Sequence, residues 1–237
     1  MRFTQDGMPT LTELANLYGS DKGSDGPSPK WPGNNYAETY ETYLGPLRHA
    51  PIALLEIGLG VRGDRWDARI VHGRNEAGGA SIKLWSDYFT CAKIYGIDVN
   101  PALFLDNDRV RTFVGDQGSA TDLIGIAKEI GSYLDIIIDD ASHRPDHQQI
   151  SLSVLFPFLK AGGLYFIEDL SANGLGDKRR GRHACELVLN TRNVLRGFKA
   201  TGGFPHPHGL TDPTYLAQQI VQIEFFADEK LCLVRKR

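Results

Sequence analysis

The sequence has 237 residues, 41% of them hydrophobic and 23% charged, which suits one α/β domain with a full core and modest additions. Its net charge of −3 shows no basic excess, so we expect no nucleic-acid partner. Three scattered cysteines argue against a thiolate zinc site and a disulfide framework, and they favour a cytoplasmic location. We predict neither a signal peptide nor a membrane span, because no apolar stretch has the required length.

Two helices are predicted ahead of the first strand, over residues 11–18 and 36–47. We expect residues 1–50 to form an N-terminal helical lid segment and residues 51–237 to form the main domain, within one compact unit. Short apolar runs then alternate with helical patterns. The predicted strands are 52–57, 93–97, 110–114, 134–138 and 163–167, and the predicted helices are 80–89, 121–130 and 148–159. Such alternation indicates a parallel sheet covered on both faces, which is a doubly wound α/β fold.

The C-terminal part of the chain departs from this alternation, because no helix separates its strands. Two strands, 220–226 and 230–234, flank Ala227-Asp228-Glu229, a loop of hairpin length. The expected fold is therefore a Rossmann-like parallel sheet that ends in an antiparallel hairpin.

Acidic residues stand at or near the carboxyl end of every predicted parallel strand. They are Glu56, Asp98, Asp116, Asp139 with Asp140, and Glu168 with Asp169. Ligands of an open parallel sheet gather at this edge, so the acids mark a candidate binding site. Asp98 is suited to accept hydrogen bonds from a ribose diol, and Asp116 with Gln117 could face an adenine edge. A plain turn at Asp116 and Gln117 is the alternative.

A glycine turn follows the first strand in Glu56-Ile57-Gly58-Leu59-Gly60, where glycine lets the backbone approach a ligand closely. Nicotinamide-binding domains use a similar turn, so this signal alone does not choose a cofactor. The third glycine of the usual pattern is missing from its place. Residues 61–77 have the pattern of an insertion, after which Gly78-Gly79-Ala80-Ser81 supplies the glycines that lead into the next helix.

The segment Asp139-Asp140-Ala141-Ser142-His143 carries the most specific chemistry. Adjacent carboxylates repel each other unless a cation or a hydrogen-bond donor offsets the charge. With Glu168 and Asp169 at the next strand end, they offer oxygen ligands that suit a hard cation such as Mg²⁺, or else Mn²⁺ or Ca²⁺. His143 could be a ligand, a structural histidine or a general base, and the residues alone leave these roles open.

Six segments together resemble one known family. They are residues 14–23 (LANLYGSDKG), 55–58 (LEIG), 78–85 (GGASIKLW), 94–98 (IYGID), 137–143 (IIDDASH) and 162–170 (GGLYFIEDL). In these segments, which extend through most of the chain up to Leu170, the sequence is similar to the sugar O-methyltransferases of antibiotic biosynthesis. That family includes macrocin O-methyltransferase, mycinamicin methyltransferases and rhamnosyl O-methyltransferases. A parallel sheet that finishes in an antiparallel hairpin is also the arrangement of class I methyltransferases.

The resemblance implies an enzyme that uses S-adenosylmethionine and Mg²⁺ to methylate a sugar hydroxyl of a glycosylated natural product or nucleotide sugar. It implies that Asp140, Glu168 and Asp169 hold the metal, and that His143 is the general base, with Asp140 beside it in the catalytic set. The predicted cofactor-binding residues are Tyr18, Glu56, Gly58, Gly60, Ser81, Asp98, Asp116, Gln117 and Asp139. The segment 18–23 would close over the site, and the protein would be a homodimer or homotetramer.

Three departures from the family pattern leave the acceptor open. Ala141 replaces a frequent glycine, the insertion 61–77 is charged and contains His72, and the expected acceptor region 171–216 matches poorly. Within that region, His206 and His208 lie in a proline-containing loop that we expect to meet the acceptor. One alternative function is an N-methyltransferase acting on an amino sugar. Further alternatives are a cephalosporin hydroxylase-like enzyme and an NAD-dependent oxidoreductase; the broken glycine pattern and the hairpin argue against the oxidoreductase.

Overall fold

The computed structural model describes residues 7–25, 32–63, 77–170, 190–204 and 210–237. These residues form seven α-helices and seven β-strands. Among the described helices, none combines the length and the apolar character that crossing a membrane requires. By its internal packing the chain divides into two compact units, Met1–Val114 and Gly115–Arg237. The division into a lid over 1–50 and a main domain over 51–237 stays a prediction.

The first unit contains three helices and three strands. They are α1 (Leu11–Tyr18), α2 (Tyr36–Leu44), β1 (Ala53–Ile57), α3 (Ala80–Tyr88), β2 (Lys93–Asp98) and β3 (Val110–Val114). The strands run parallel in the order β3-β2-β1, with Leu55 opposite Tyr95 and Gly96 opposite Thr112. Every residue of β1 is buried, as expected for a parallel strand that is covered on both faces.

Helix α1 begins at a capping box. The Thr10 hydroxyl accepts a hydrogen bond from the Glu13 backbone N–H, and the Glu13 carboxylate accepts one from the Thr10 N–H. The helix ends at Gly19, whose φ of 68° is a left-handed conformation that glycine adopts without strain. Its apolar face packs against α3. Both ends of α1 are therefore fixed, which determines where the segment 18–23 leaves the helix.

The second unit contains four helices and four strands. They are α4 (Ala120–Ile130), β4 (Leu134–Asp139), α5 (Pro145–Leu155), β5 (Leu159–Ile167), α6 (Thr191–Thr201), α7 (Pro213–Gln219), β6 (Ile220–Phe226) and β7 (Leu231–Lys236). Their order is β4-β5-β7-β6; β4 and β5 are parallel, and β7 is antiparallel to both of its neighbours. The predicted C-terminal hairpin is confirmed, and its turn carries Ala227, Asp228 and Glu229 at positive φ.

Two predicted boundaries near the site differ from the structure. Helix α5 begins at Pro145 rather than at residue 148, because proline fits the first helical turn, where its missing N–H is not needed. The helix stops where Phe156-Pro157-Phe158 form a short 3-10 turn that leads directly into β5. The sequence predicts that this strand starts only at Gly163, because Lys160 and the pair Gly162-Gly163 interrupt the apolar run.

Candidate active site

The segment Asp139–His143 follows β4, and Glu168 with Asp169 follows β5. Because β4 and β5 are parallel neighbours, their carboxyl ends meet at one edge of the sheet. There the ligand atoms of Asp140, His143 and Asp169 lie within 4.8 Å of one another, and each side chain is partly exposed. The Nε2 atom of His143 is 3.5 Å from Oδ2 of Asp169. The structure thus brings three predicted site residues into one cluster that solvent reaches.

Two members of this cluster have unusual backbone geometry. His143 and Asp169 have φ angles of 55° and 54°, in the left-handed region that is costly for most residues with side chains. Such conformations persist where the surroundings hold them, and they concentrate at functional sites. Next to Asp169, Glu168 is held by its N–H, which donates to the Asp139 carbonyl at 2.9 Å, and by its carbonyl, which accepts from Gln148 Nε2 at 3.1 Å.

Asp140 and Asp169 offer the donor set of a hard divalent cation, because carboxylate oxygens are the ligands that Mg²⁺ prefers. Their partial exposure leaves them accessible, so the residues present fit such an ion. The third predicted ligand, Glu168, lies outside the cluster and is 1% exposed, and its role as a ligand stays a prediction. The third member of the cluster is His143, the predicted general base. Its Nδ1 atom is buried and has no hydrogen-bond partner within the described ranges.

Asp139, the residue before the cluster, is fully buried. Its Oδ1 accepts a hydrogen bond of 2.6 Å from Gln117 Nε2, and its Oδ2 accepts one from the Ser151 hydroxyl. Burial raises the pKa of Asp139 to about 6, although these two hydrogen bonds and the nearby His143 oppose the rise. Both oxygens of Asp139 therefore bond to protein groups, and direct contact with a cofactor stays a prediction.

Residues 116–118 form a turn near the start of the second unit. The Asp116 carboxylate accepts from the Gly118 N–H at 2.8 Å, which is the plain turn that the sequence left as an alternative. Gln117 is 3% exposed; its Nε2 donates to Asp139, and its Oε1 accepts from the N–H and the hydroxyl of Ser142. Both the nitrogen and the oxygen of this side-chain amide form hydrogen bonds with protein atoms. Gln117 therefore joins the turn to the loop after β4. The partly exposed Asp116 is the more accessible of the two to a ligand.

His147, in the first turn of α5, belongs to the same surroundings and was not predicted. Its Nδ1 atom lies 3.0 Å from the Ser142 hydroxyl. A Cβ built on Gly118 would lie 2.7 Å from its Nε2, so only glycine at 118 leaves room for the ring. Burial lowers the pKa of His147, which favours a neutral ring near pH 7. No local pattern marks this residue, because its contacts are with other segments of the chain.

In the first unit, Glu56 lies within β1 and is fully buried. Its Oε2 accepts hydrogen bonds from the Ser81 hydroxyl at 2.7 Å and from Trp85 Nε1 at 3.2 Å. Its Oε1 lies 3.5 Å from Nζ of Lys22, which is itself 1% exposed. Lys22 belongs to the segment 18–23, so this ion pair attaches that segment to β1. Two predicted cofactor residues, Glu56 and Ser81, are thus bonded to each other.

Asp98 stands at the carboxyl end of β2, as predicted, and holds the glycine turn. Its Oδ2 accepts from the backbone N–H groups of Leu59 at 3.0 Å and Val61 at 3.4 Å, and its Oδ1 accepts a third backbone N–H. Burial raises the pKa of Asp98 against the lowering effect of these bonds. Gly58 and Gly60 have φ angles of 91° and 63°, which explains why glycine is needed at both positions.

The insertion 61–77 leaves and rejoins the glycine turn at one place. The Gly79 N–H donates to the Leu59 carbonyl at 2.7 Å, and a Cβ on Gly78 would lie 2.3 Å from the carbonyl oxygen of Gly60. We call this junction of residues 59–60 with 78–79 the glycine neck. Gly78 and Gly79 lead from this junction into α3. Residues 64–76, which include His72, lie outside the described residues.

The hydroxyl of Tyr18 donates to the carboxylate of Asp87, in the last turn of α3. This hydrogen bond raises the pKa of Tyr18 to about 12, with smaller contributions from burial and from the charge of Asp87. Ser81 lies in the first turn of the same helix, about two turns away. Contact of Tyr18 with a cofactor stays a prediction, and Lys22 is the member of segment 18–23 that is bonded to Glu56.

The expected acceptor region 171–216 is described only in part. Residues 171–189 and 205–209 lie outside the described residues, and the predicted His206 and His208 fall in the second of these gaps. The two described parts of the region each form a hydrogen bond with α5, the helix that follows the cluster.

The chain is similar to enzymes from two antibiotic pathways, although no family model matches it. It is 39% identical over 192 residues to the 8-demethyl-8-(2-methoxy-alpha-L-rhamnosyl)-tetracenomycin-C 3'-O-methyltransferase of Streptomyces olivaceus, which covers 78% of this chain and 46% of that protein. It is 34% identical over 162 residues to the mycinamicin VI 2''-O-methyltransferase of Micromonospora griseorubida, covering 68% of this chain and 36% of that protein. The chain therefore spans less than half the length of both relatives.

The chain is also similar to solved structures of methyltransferases. The MycE methyltransferase from the mycinamycin biosynthetic pathway, in complex with Mg, SAH and mycinamycin VI, superposes with a TM-score of 0.73 at 28% identity, over 97% of this chain and 55% of that one. A putative caffeoyl-CoA O-methyltransferase from Staphylococcus aureus shares the fold alone, with a TM-score of 0.51 at 15% identity, over 84% of this chain and 83% of that one. The predicted Rossmann-like class I methyltransferase fold is confirmed. The chain belongs to the family of sugar O-methyltransferases of antibiotic biosynthesis.

Proposed function

We propose that this protein transfers the methyl group of S-adenosylmethionine to a sugar hydroxyl of a glycosylated small molecule, with Mg²⁺ as a second cofactor. The observation that carries the proposal is the cluster of Asp140, His143 and Asp169 at the carboxyl ends of β4 and β5. The relatives support it, because those described above are O-methyltransferases and the mycinamycin enzyme was solved with Mg, SAH and mycinamycin VI.

Asp140 and Asp169 would hold the metal, with Glu168 as a further candidate ligand. A bound Mg²⁺ supplies charge stabilisation to an acceptor oxygen that becomes negative. A free sugar hydroxyl is too weak an acid to ionise near neutral pH, so the site needs a proton acceptor as well as charge stabilisation.

His143 is our candidate for that proton acceptor. Its Nε2 atom lies 3.5 Å from Oδ2 of Asp169, so a basic nitrogen stands beside the two acids that would hold the metal. As the proton moves to Nε2, a bond forms between the acceptor oxygen and the methyl carbon, and the bond from that carbon to the sulfonium sulfur breaks. The products are a methyl ether and S-adenosylhomocysteine. The main contribution of the protein is to hold the two reactants in line.

For the cofactor, we assign different tasks to the predicted residues of the first unit. Gly58 and Gly60 allow close approach of the backbone. The Asp98 carboxylate accepts three backbone N–H groups and has acceptor capacity left for a ribose diol. Glu56 and Ser81 support this arrangement from within the protein, because Glu56 is buried and accepts the hydrogen bond of Ser81.

In the second unit, Asp116 is the residue that we propose for the adenine edge, because its carboxylate is partly exposed. Gln117 and Asp139 would act indirectly, because other protein groups already bond their polar atoms. For the segment that contains Tyr18, we propose closure over the site.

The experiment that tests this function supplies purified protein with methyl-labelled S-adenosylmethionine and a panel of glycosylated acceptors. We expect transfer of label to a sugar hydroxyl, loss of transfer in excess chelator, and recovery on addition of Mg²⁺. Transfer to an amino sugar that continues in excess chelator would favour the N-methyltransferase alternative. Absence of transfer to every glycosylated acceptor would contradict the proposal.

Two asparagine variants make this experiment specific for the cluster. Asp140→Asn removes one charge, and we expect kcat to fall by about 100-fold, which corresponds to about 2.7 kcal/mol of lost charge stabilisation. Asp135→Asn is the matched control, because Asp135 lies on β4, ahead of the cluster, and pairs with the exposed Lys160. Equal activity of the two variants would remove the role assigned to Asp140.

We also propose a homodimer or homotetramer located in the cytoplasm. The family resemblance supports the assembly, and the two cysteines that the structure describes, Cys91 and Cys232, are free thiols, as suits a reducing compartment. Light scattering on the purified protein measures its mass in solution, and a monomer across the accessible concentration range would contradict the assembly.

A further inference from the structure

The loop between β4 and α5 carries two residues of the cluster but has no regular structure. Three segments of the second unit meet at Ser142: the loop itself, the turn 116–118 and the first turn of α5. The residues that make these contacts are Gln117, Gly118, Ser142 and His147, and we call them the loop anchor.

The amide of Gln117 has one defined orientation. Its nitrogen faces Asp139, because an ionised carboxylate can only accept hydrogen bonds, and Nε2 lies 2.6 Å from Oδ1. Its oxygen therefore faces Ser142, where it accepts the backbone N–H at 3.1 Å and the hydroxyl at 2.6 Å. Because Gln117 is 3% exposed, water competes little for these bonds.

The hydroxyl of Ser142 has one proton, and Gln117 receives it, because two oxygens 2.6 Å apart need a proton between them. Towards His147 the same hydroxyl oxygen can only accept, and Nδ1 of that ring lies 3.0 Å away. A neutral imidazole carries one proton. These contacts favour the His147 tautomer that is protonated on Nδ1; its Nε2 lies 3.9 Å from Oδ2 of Asp146, beyond hydrogen-bond distance.

The ring of His147 also packs against the turn. A Cβ at position 118 would meet three atoms of this ring, at 2.7, 2.9 and 3.0 Å, so any residue larger than Gly118 would displace the ring from Ser142. Packing against the glycine and hydrogen bonding to the serine therefore depend on each other.

We propose that Ser142, through the loop anchor, is the positioning residue that holds His143 in its working place. This inference rests on the proposed function. Ser142 directly precedes His143, whose φ of 55° requires neighbours that maintain it. The proposed reaction is sensitive to such placement, because a displacement of about 1 Å can cost about 100-fold in rate.

The first test separates positioning from general stability. Ser142→Ala removes only the hydroxyl, and we expect kcat to fall by about 10- to 100-fold while KM for S-adenosylmethionine changes less than about twofold. Ser142→Thr keeps a hydroxyl at an exposed position and should restore most of kcat. Ser119→Ala is the matched control, because its hydroxyl caps α4 by accepting from the Asp122 N–H; this variant should keep wild-type kcat.

The second test does not depend on activity. In ¹⁵N-labelled wild-type protein, the His147 ring should be the Nδ1–H tautomer, with its signals assigned by comparison with His147→Asn. In Ser142→Ala we expect this tautomer preference to be lost and amide hydrogen exchange of residues 140–144 to accelerate. If the wild-type protein methylates no sugar, the proposed function fails, and these two measurements still decide whether the anchor exists.

Three results would overturn the inference. One is equal kcat in Ser142→Ala and Ser119→Ala, and another is a Ser142→Thr variant that remains as slow as the alanine variant. The third is an Nε2–H tautomer of His147 in the wild-type protein, because the hydroxyl of Ser142 would then have to donate to the ring and could not donate to Gln117.

Discussion

The carboxylate of Glu56 is completely enclosed, whereas those of Asp140 and Asp169 are partly exposed. A buried carboxylate loses its hydration, and it is stable only when protein groups replace the water. Glu56 obtains this replacement from one ammonium group and two hydrogen-bond donors. The two exposed acids lie close together instead, and a cation would offset their mutual repulsion. Burial thus distinguishes Glu56, which holds the fold, from Asp140 and Asp169, which can hold an ion.

At the scale of single residues, the Lys22–Glu56 ion pair allows a prediction about the stability of the protein. Lys22→Met leaves the Glu56 charge buried without its counter-charge, so we expect the free energy of unfolding to fall by about 3–5 kcal/mol. Adding Glu56→Gln should recover part of this loss, because the glutamine oxygen still accepts from Ser81 and no charge remains buried. Urea denaturation of the single and double variants measures both values.

An exposed ion pair provides the control for this prediction. Lys160 is 45% exposed and lies 2.8 Å from Asp135, so Lys160→Met should cost only about 0–1 kcal/mol. Equal costs for Lys22→Met and Lys160→Met would mean that the buried pair contributes no more than a surface pair does.

His143 yields the catalytic prediction. His143→Ala removes the proposed proton acceptor, so we expect kcat to fall by about 10²- to 10⁴-fold while the affinity for S-adenosylhomocysteine stays close to that of the wild type. Single-turnover kinetics and calorimetry measure the two quantities. His49→Ala is the matched control, because that ring is bonded to Thr90 in the first unit. Full activity of His143→Ala would remove the base assignment.

At the scale of elements, the glycine neck explains how a long insertion coexists with a binding turn. The turn after β1 needs left-handed backbone at Gly58 and Gly60, and Gly78 and Gly79 return to the same place with φ angles of 82° and 74°. The approach of Gly78 to the carbonyl of Gly60 leaves no space for a Cβ atom. Glycine is therefore required on both sides of the neck, for conformation and for space.

Replacement of one neck glycine tests this requirement. In Gly78→Ala the new Cβ would meet backbone atoms 2.3 and 2.7 Å away at a strained φ, so we expect the free energy of unfolding to fall by about 1–3 kcal/mol or more. Gly125→Ala is the control, because it lies inside α4 with nothing within 4 Å of its Cβ position. That variant should gain about 0.5–1 kcal/mol. Similar values for both variants would show that the neck tolerates a side chain.

Local patterns predict most elements, and packing decides the rest. Helix α1 and strand β3 have the predicted bounds, because a capping box and Gly19 delimit the helix, and Arg109 and Gly115 flank the strand. The sequence does not predict α6 and α7. Helix α7 has seven residues and α6 contains Gly197, so neither has a strong propensity. Their stability comes from packing, and for α6 the contacts are with α5 and β6.

At the scale of the whole molecule, some residues of the site are predicted from local sequence patterns and others only from contacts between distant segments. Acids at strand ends are recognisable in the sequence, because strand ends are local features, and Asp140 and Asp169 were found in this way. The sequence marks Lys22 only as a member of the segment 18–23 and does not mark His147, because Glu56 and Gly118, which they contact, lie about 30 residues away in the chain. For Gln117, the sequence indicates a polar side chain near the site. Only the structure shows that its amide nitrogen and its amide oxygen both form hydrogen bonds with protein atoms.

The whole chain also yields a ligand-binding prediction. A ligand at about 100 times its Kd stabilises a protein by about 2.7 kcal/mol, which raises Tm by roughly 5–11 °C for a chain of this size. We expect S-adenosylhomocysteine to produce such a shift and NAD to produce none. Thermal scans at matched ligand concentrations measure both. A shift with NAD and none with S-adenosylhomocysteine would contradict the assigned cofactor and would favour the oxidoreductase alternative.

The glycine neck has a further consequence for engineering. The sequence between residues 63 and 77 is attached to the domain at this one junction. In general, doubling the length of a flexible loop costs only about 0.6 kcal/mol, so a longer sequence should be tolerated there. A fluorescent module spliced between these residues would be attached next to the backbone that we propose for the cofactor. We expect such a fusion to leave the β-strands and their pairing unchanged.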